Sequence, residues 1–165
     1  MPRRGKILIT PDERSVIWGC KKYNMIIFNN LPLELQSEQS LLKPWLKELI
    51  RQHGFVPGDV SYFFCDDEEL LKVNLQFLQH DTYTDIITFD YGAAGVVSGE
   101  IYISEQRVRD NATELQILPQ DEFLRVVAHG VLHLCGYKDK SEKEAAEMRH
   151  QEEGAISLYK MLKQR

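Results

Sequence analysis

The chain has 165 residues, 43% of them apolar and 27% charged, with a formal net charge of -5. A chain of this length can bury about two thirds of its unfolded surface in one core, and its acidic balance argues against a partner held mainly by an excess of Lys and Arg on a phosphate backbone. No apolar run approaches the roughly 20 residues that span a bilayer, so no membrane partner is expected. Cys20, Cys65 and Cys135 are odd in number and form no CxxC pair, which fits reduced thiols in the cytoplasm rather than a disulfide framework.

Residues 1–24 have mixed composition and weak periodicity, without the charged-then-apolar layout of a secretory signal. They are expected to be a flexible or non-native extension, with Met25 as the true start and residues 25–165 as a single domain. Met25 to Phe28 opens a strand. From Ser37 to His53, the residues Leu41, Leu42, Trp45, Leu46, Leu49 and Ile50 recur at spacings of three and four, one face of an amphipathic helix. Pro44 falls inside it, so the regular part is expected to start there. Asp59 to Cys65 is a β-branched and aromatic run. Asp66 and Asp67 then supply N-cap candidates for a helix through Leu70, Leu71, Val73 and Phe77.

Thr84–Tyr91 and Val97–Ser104 are expected to be strands on either side of the Gly92-Ala93-Ala94-Gly95 connection, and Asp121–Leu134 and Ser141–Leu162 to be helices. The resulting order of strand, helix, strand, helix, two strands and two helices predicts an α+β fold. A small mixed four-stranded sheet would be covered by helices, with a metal site at the C-terminal end of a buried central helix.

The chemistry concentrates in the segment from Ala128 to Asp139. His129 and His133 stand four residues apart, which puts both imidazoles on one helical face within reach of one ion. Gly136 can end the helix in a left-handed turn, after which the chain doubles back and brings Asp139 beneath the histidines. Two nitrogens and one carboxylate oxygen leave a fourth position for water, as in a catalytic zinc site. A bare HxxxH is most often an ordinary pair of polar residues. Here Leu124, Val127, Val131 and Leu134 form an apolar stripe and Val126 lies on the histidine side, so the helix is expected to be buried and its imidazoles to need partners. Cys135 lies two residues beyond His133, about 200° around the helix, and is assigned to the core. His53, His80 and His150 are expected to be solvated, with His150 the alternative third ligand.

The spacing HxxxHxxGxxD also matches zinc proteases, but those need a glutamate directly after the first histidine, where this chain has Gly130. The segment HGVLHLCGY instead resembles the signature of the YbeY rRNA maturation factors. Asn74-Leu75-Gln76-Phe77, Thr84 to Phe89 and Gly99 to Ser104 resemble that family's asparagine-to-aromatic helix end, its TDVLSF-like strand and its GDI-type strand. The chain departs from the pattern at Asp139, where the family usually has histidine, and at Leu78, where it usually has an arginine expected to contact phosphate.

The resemblance implies a zinc-dependent, single-strand-specific endoribonuclease with one zinc per chain, acting in 16S rRNA 3′ end maturation and ribosome quality control. The partners it implies are ribosomal RNA and ribosomal particles, with a ribosomal protein or a ribosome-associated GTPase as helper. Asp85 and Glu100 are the candidate acids for catalysis, against the simpler view that both merely end strands. Thr84, Thr88 and Ser104 are candidate substrate-binding hydroxyls, or else outward positions of half-buried strands. A zinc metalloprotease and a non-catalytic ribosome-associated zinc protein are the competing functions.

Overall fold

A computed structural model describes residues 24–78 and 83–165, together with the backbone of residues 8–9. Cys20, His80 and most of the expected extension lie outside the described residues. The elements in chain order are β1 (Leu8–Ile9), β2 (Ile26–Asn29), α1 (Leu33–Gln36), α2 (Gln39–Gln52), β3 (Val56–Cys65), α3 (Asp67–Leu78), β4 (Ile86–Asp90), β5 (Val96–Ser104), α4 (Glu105–Leu115), α5 (Pro119–Leu134) and α6 (Glu142–Lys163). β2, β3 and β5 are parallel and β4 is antiparallel to β5, giving the expected mixed four-stranded sheet. The two residues of β1 extend it at the β4 edge.

Strand alternation decides what each face carries. Val60, Tyr62, Phe64, Ile86, Ile101 and Ile103 join one core cluster with residues of α2, α5 and α6. Ile87, Phe89 and Tyr102 turn the other way and pack with Leu70, Val73 and Leu78 of α3. The central helix α5 contacts β4 and β5 beneath it and α1, α2, α4 and α6 around it, so it is buried almost throughout. Two hydrogen bonds pin this layer. Tyr62 donates its hydroxyl to the Val127 carbonyl at 2.8 Å, and Trp45 of α2 donates its indole N–H to the Ala155 carbonyl of α6 at 2.8 Å. Both satisfy buried donors that would otherwise cost about 1 to 3 kcal/mol each.

α2 starts at Gln39 rather than at Pro44. The missing proline amide would have bonded the Ser40 carbonyl, and both residues are exposed, where water can serve that carbonyl. β3 starts at Val56, with a register irregularity between Pro57 and Val60 that accommodates a residue unable to donate to the ladder. Two further helices, α1 and α4, fall where the sequence suggested only connections. α4 is capped by the Ser104 side chain, which accepts from the Arg107 amide at 3.2 Å.

Gly130 sets the distance between α5 and the sheet. A β-carbon there would stand 2.8 Å from Cγ2 of Ile101 and 3.2 Å from Cδ1 of Ile86, both buried. Gly154, inside α6, has open space around it. Gly130→Val should therefore lower unfolding free energy by about 2 kcal/mol through overpacking, whereas Gly154→Ala should raise it by roughly 0.5 to 1 kcal/mol through helix propensity. Urea unfolding measures both. A Gly130→Val protein as stable as the parent would mean that α5 does not lie against the sheet.

Candidate metal centre

His129 and His133 occupy the last turns of α5 and are 3% and 0% exposed. Their rings stand edge to face with centroids 4.2 Å apart, as one-turn spacing on a helix requires. The helix ends in a Schellman arrangement. The Tyr137 amide donates to the Leu132 carbonyl at 3.1 Å and the Gly136 amide to the His133 carbonyl at 2.9 Å, with Gly136 at φ 97°. α6 then begins with a capping box in which the Ser141 side chain accepts from the Glu144 amide and the Glu144 carboxylate accepts from the Ser141 amide. Asp139 lies between these two fixed ends, so a short, doubly anchored loop carries it back over the histidines.

The structure brings all three expected ligands together: one ligand atom from each of His129, His133 and Asp139 lies within 4.8 Å of the others. Oδ2 of Asp139 is 3.4 Å from Nε2 of each histidine. Two atoms bound about 2.1 Å from one tetrahedral ion stand about 3.4 Å apart, so this spacing suits a shared ion better than a direct hydrogen bond. The polar accounting agrees. Among the described residues, Nε2 of His129 and Oδ1 of Asp139 are buried with no hydrogen-bond partner, a costly state that a bound cation relieves.

The protonation of both rings follows from the partners of their other nitrogen. Nδ1 of His133 lies 2.7 Å from the Tyr137 carbonyl oxygen, which can only accept, so Nδ1 carries the proton and Nε2 of the neutral ring presents a lone pair. Nδ1 of His129 lies 2.5 Å from Oε1 of Glu152, again an acceptor, with the same consequence. Both Nε2 atoms face Asp139, and in the neutral rings they carry the lone pair that a metal requires.

Electrostatics follow from this crowding. Burial opposes the charged His129 ring, yet the carboxylates of Asp139 and Glu152 outweigh it and raise its pKa above the ordinary histidine value. Burial likewise opposes charge on Asp139 and on Glu152. The histidines hold the first carboxyl below its ordinary range, and His129 with Arg125 does so for the second. Cys135 is buried and its thiol is pushed up to about 12, chiefly by burial, consistent with a core residue rather than a ligand.

The remaining sequence candidates have the following surroundings. Asp85 is buried and accepts from the Asn111 amide at 3.4 Å. Glu100 accepts from the hydroxyls of Tyr91 and Tyr102 at 3.3 and 3.2 Å, and alternation with Ile101 places it on the sheet face opposite α5. The Thr84 hydroxyl donates to the Ile86 carbonyl, Thr88 is fully buried, and Ser104, also fully buried, donates to Asp67 while capping α4. Leu78 packs against Leu70, Ile87 and Phe89, an apolar contact. His150 is exposed, and the side chain that α6 sends to the centre is Glu152, 5% exposed. A signal for it existed: Met148, Glu152, Ala155 and Tyr159 form the buried stripe of α6, and Glu152 is the charged member.

A family model described as Endoribonuclease YbeY matches residues 28–160. A relative from Flavobacterium johnsoniae named Endoribonuclease YbeY is 44% identical over 136 residues, covering 82% of this chain and 97% of its own. A protein of the same name from Porphyromonas gingivalis is 52% identical over 114 residues, covering 69% and 76%. A solution structure of a Thermotoga maritima protein matches with a TM-score of 0.58 at 28% identity, covering 82% of this chain and 89% of that one.

The turn that aims Asp139 gives a direct test of this local geometry. At φ 97°, Gly136→Val should cost about 2 kcal/mol in urea unfolding, and Gly136→Asn should cost less because asparagine tolerates left-handed backbone. Equal losses for the two would contradict the turn.

Proposed function

The chain belongs to the YbeY endoribonuclease family, and from that premise we propose that it is a zinc-dependent endoribonuclease that cleaves RNA phosphodiester bonds. The observation that carries the proposal is the convergence of His129, His133 and Asp139 at the end of a buried helix, with ligand atoms within 4.8 Å of one another. Two imidazoles and one carboxylate are a donor set suited to zinc, and three protein ligands leave room for substrate or water. We assign one zinc per chain to these residues.

In this scheme the chain's own groups do three things. His129 and His133 present Nε2 because Glu152 and the Tyr137 carbonyl hold their Nδ1 protons. Asp139 contributes negative charge, where the family usually supplies a neutral imidazole. Val126, buried about one turn before His129 on the histidine side of α5, helps keep bulk water from the inner side of the site. A bound zinc supplies Lewis acidity, activating water and offsetting charge that develops on a phosphoryl group.

The finer assignment rests on the family: single-strand-specific cleavage in ribosomal RNA processing, including 16S rRNA 3′ end maturation and ribosome quality control. Ribosomal particles would be the partner, with a ribosomal protein or a ribosome-associated GTPase as helper, and residues 25–165 the functional unit in the cytoplasm. Among the described residues no helix is long and apolar enough to cross a membrane. A zinc protease finds no support at position 130, where the glutamate such enzymes need is replaced by a glycine pressed against Ile101.

The test combines zinc content with cleavage of a ribosomal RNA precursor and of casein. Zinc-loaded protein should cut the RNA and leave casein intact. His133→Ala should weaken zinc binding greatly. Asp139→His should retain zinc and some cleavage, with Asp139→Asn below it and Asp139→Ala lowest. Full zinc content and cleavage in Asp139→Ala would remove Asp139 from the site, and casein cleavage without RNA cleavage would overturn the proposal.

A further inference from the structure

We propose that Glu152, held by Arg125, is the positioning residue that fixes the tautomer and aim of His129. The inference rests on the metal assignment above and adds a layer of residues behind it. The two histidines are held in different ways. The Nδ1–H of His133 donates to a backbone carbonyl, which the helix end itself supplies. The Nδ1–H of His129 donates to a side chain from another helix, 23 residues away in sequence, at 2.5 Å. The identity of residue 152 is thus a variable that the chemistry of His129 depends on, whereas the Nδ1 acceptor of His133 is backbone.

Glu152 is in turn constrained. Nη1 of Arg125 lies 3.0 Å from the same Oε1 that meets His129. The other face of that guanidinium is gripped by Glu122, with Nε at 2.9 Å from Oε2 and Nη2 at 2.5 Å from Oε1. Glu122 and Arg125 are three residues apart on α5, so the helix carries its own clamp, and His129 follows one turn later on the same side. Glu122 and Glu152 are 0% and 5% exposed. Buried carboxylates cost several kcal/mol unless paired, and Arg125 pairs both.

Arg125 holds Oε1 of Glu152 against the His129 N–H, and a carboxylate accepting there makes Nε2 a better electron donor to a cation on the other side of the ring. The chain Glu122–Arg125–Glu152–His129 also ties the docking of α6 to the metal centre, since α6 follows directly on the loop that carries Asp139.

The experiment uses the full-length protein and zinc as the probe, with affinity measured by competition against a chelator. Zinc affinity should fall about 10-fold in Glu152→Gln, which keeps the volume and an acceptor but not the charge, and about 100-fold in Glu152→Ala. Leu158→Ala, which loosens the same helix without touching the chain, should bind within about 2-fold of the unaltered protein. Nitrogen NMR of the metal-free protein gives a readout independent of affinity. The neutral His129 ring should be protonated at Nδ1, and Glu152→Ala should move a large share of it to the Nε2–H form. Unchanged affinity and tautomer in Glu152→Ala would overturn the inference, as would an equal loss in Leu158→Ala. An unaltered protein that binds no zinc would instead overturn the metal assignment, and this inference with it.

Discussion

Two imidazoles placed inside a helix that is buried on every side must have both ring nitrogens satisfied, and that requirement organises the molecule. His129 and His133 are almost without solvent contact, so water cannot serve them. Each Nδ1 proton is taken by a fixed acceptor, one from α6 and one from the turn after α5. Each Nε2 is thereby left as a lone pair aimed at one carboxylate 3.4 Å away. Acceptors behind the rings satisfy one nitrogen of each, and the proposed cation in front would complete the accounting.

The rest of the fold supplies the means. Gly130 lets α5 settle onto Ile101 and Ile86, which buries the helix that carries the histidines. The Schellman turn at Gly136 and the capping box at Ser141 fix both ends of the loop between α5 and α6, so the hydrogen bonds of those two ends place Asp139. α6 returns across α5 to deliver Glu152, and Trp45 and Tyr62 tie the layers together from α2 and β3. A carboxylate reaches zinc at nearly the same distance as an imidazole, so Asp139 would suit the proposed site as a histidine does.

Much of this was legible in the sequence where a periodic signal was strong. The four long strands, the buried helix of the histidines and the final helix follow from alternation and from three-and-four spacing, and HxxxHxxGxxD identified the three residues that the fold gathers. What escaped had weak or contrary local signals. α4 buries only Val108 and Ala112 on an otherwise polar surface, too thin a stripe to stand out from a connection. α2 and β3 run past Pro44 and Pro57 because exposure and a ladder irregularity absorb what proline removes. Glu152 and Arg125 are separated by 27 residues in sequence, and their link to His129 exists only once α6 is docked. Of the candidate acids Asp85 and Glu100, alternation turns Glu100 to the far face of the sheet, which only the paired strands reveal.

The central claim is that one ion is shared by two imidazoles and one carboxylate. X-ray absorption at the zinc edge on the full-length protein loaded with one equivalent of zinc tests it most directly. The account predicts a first shell of nitrogen and oxygen at about 2.0 to 2.2 Å, with the outer-shell scattering of two imidazole rings and no sulfur. A sulfur contribution at about 2.3 Å, which would bring in a cysteine, or the outer-shell pattern of a single imidazole, would contradict it.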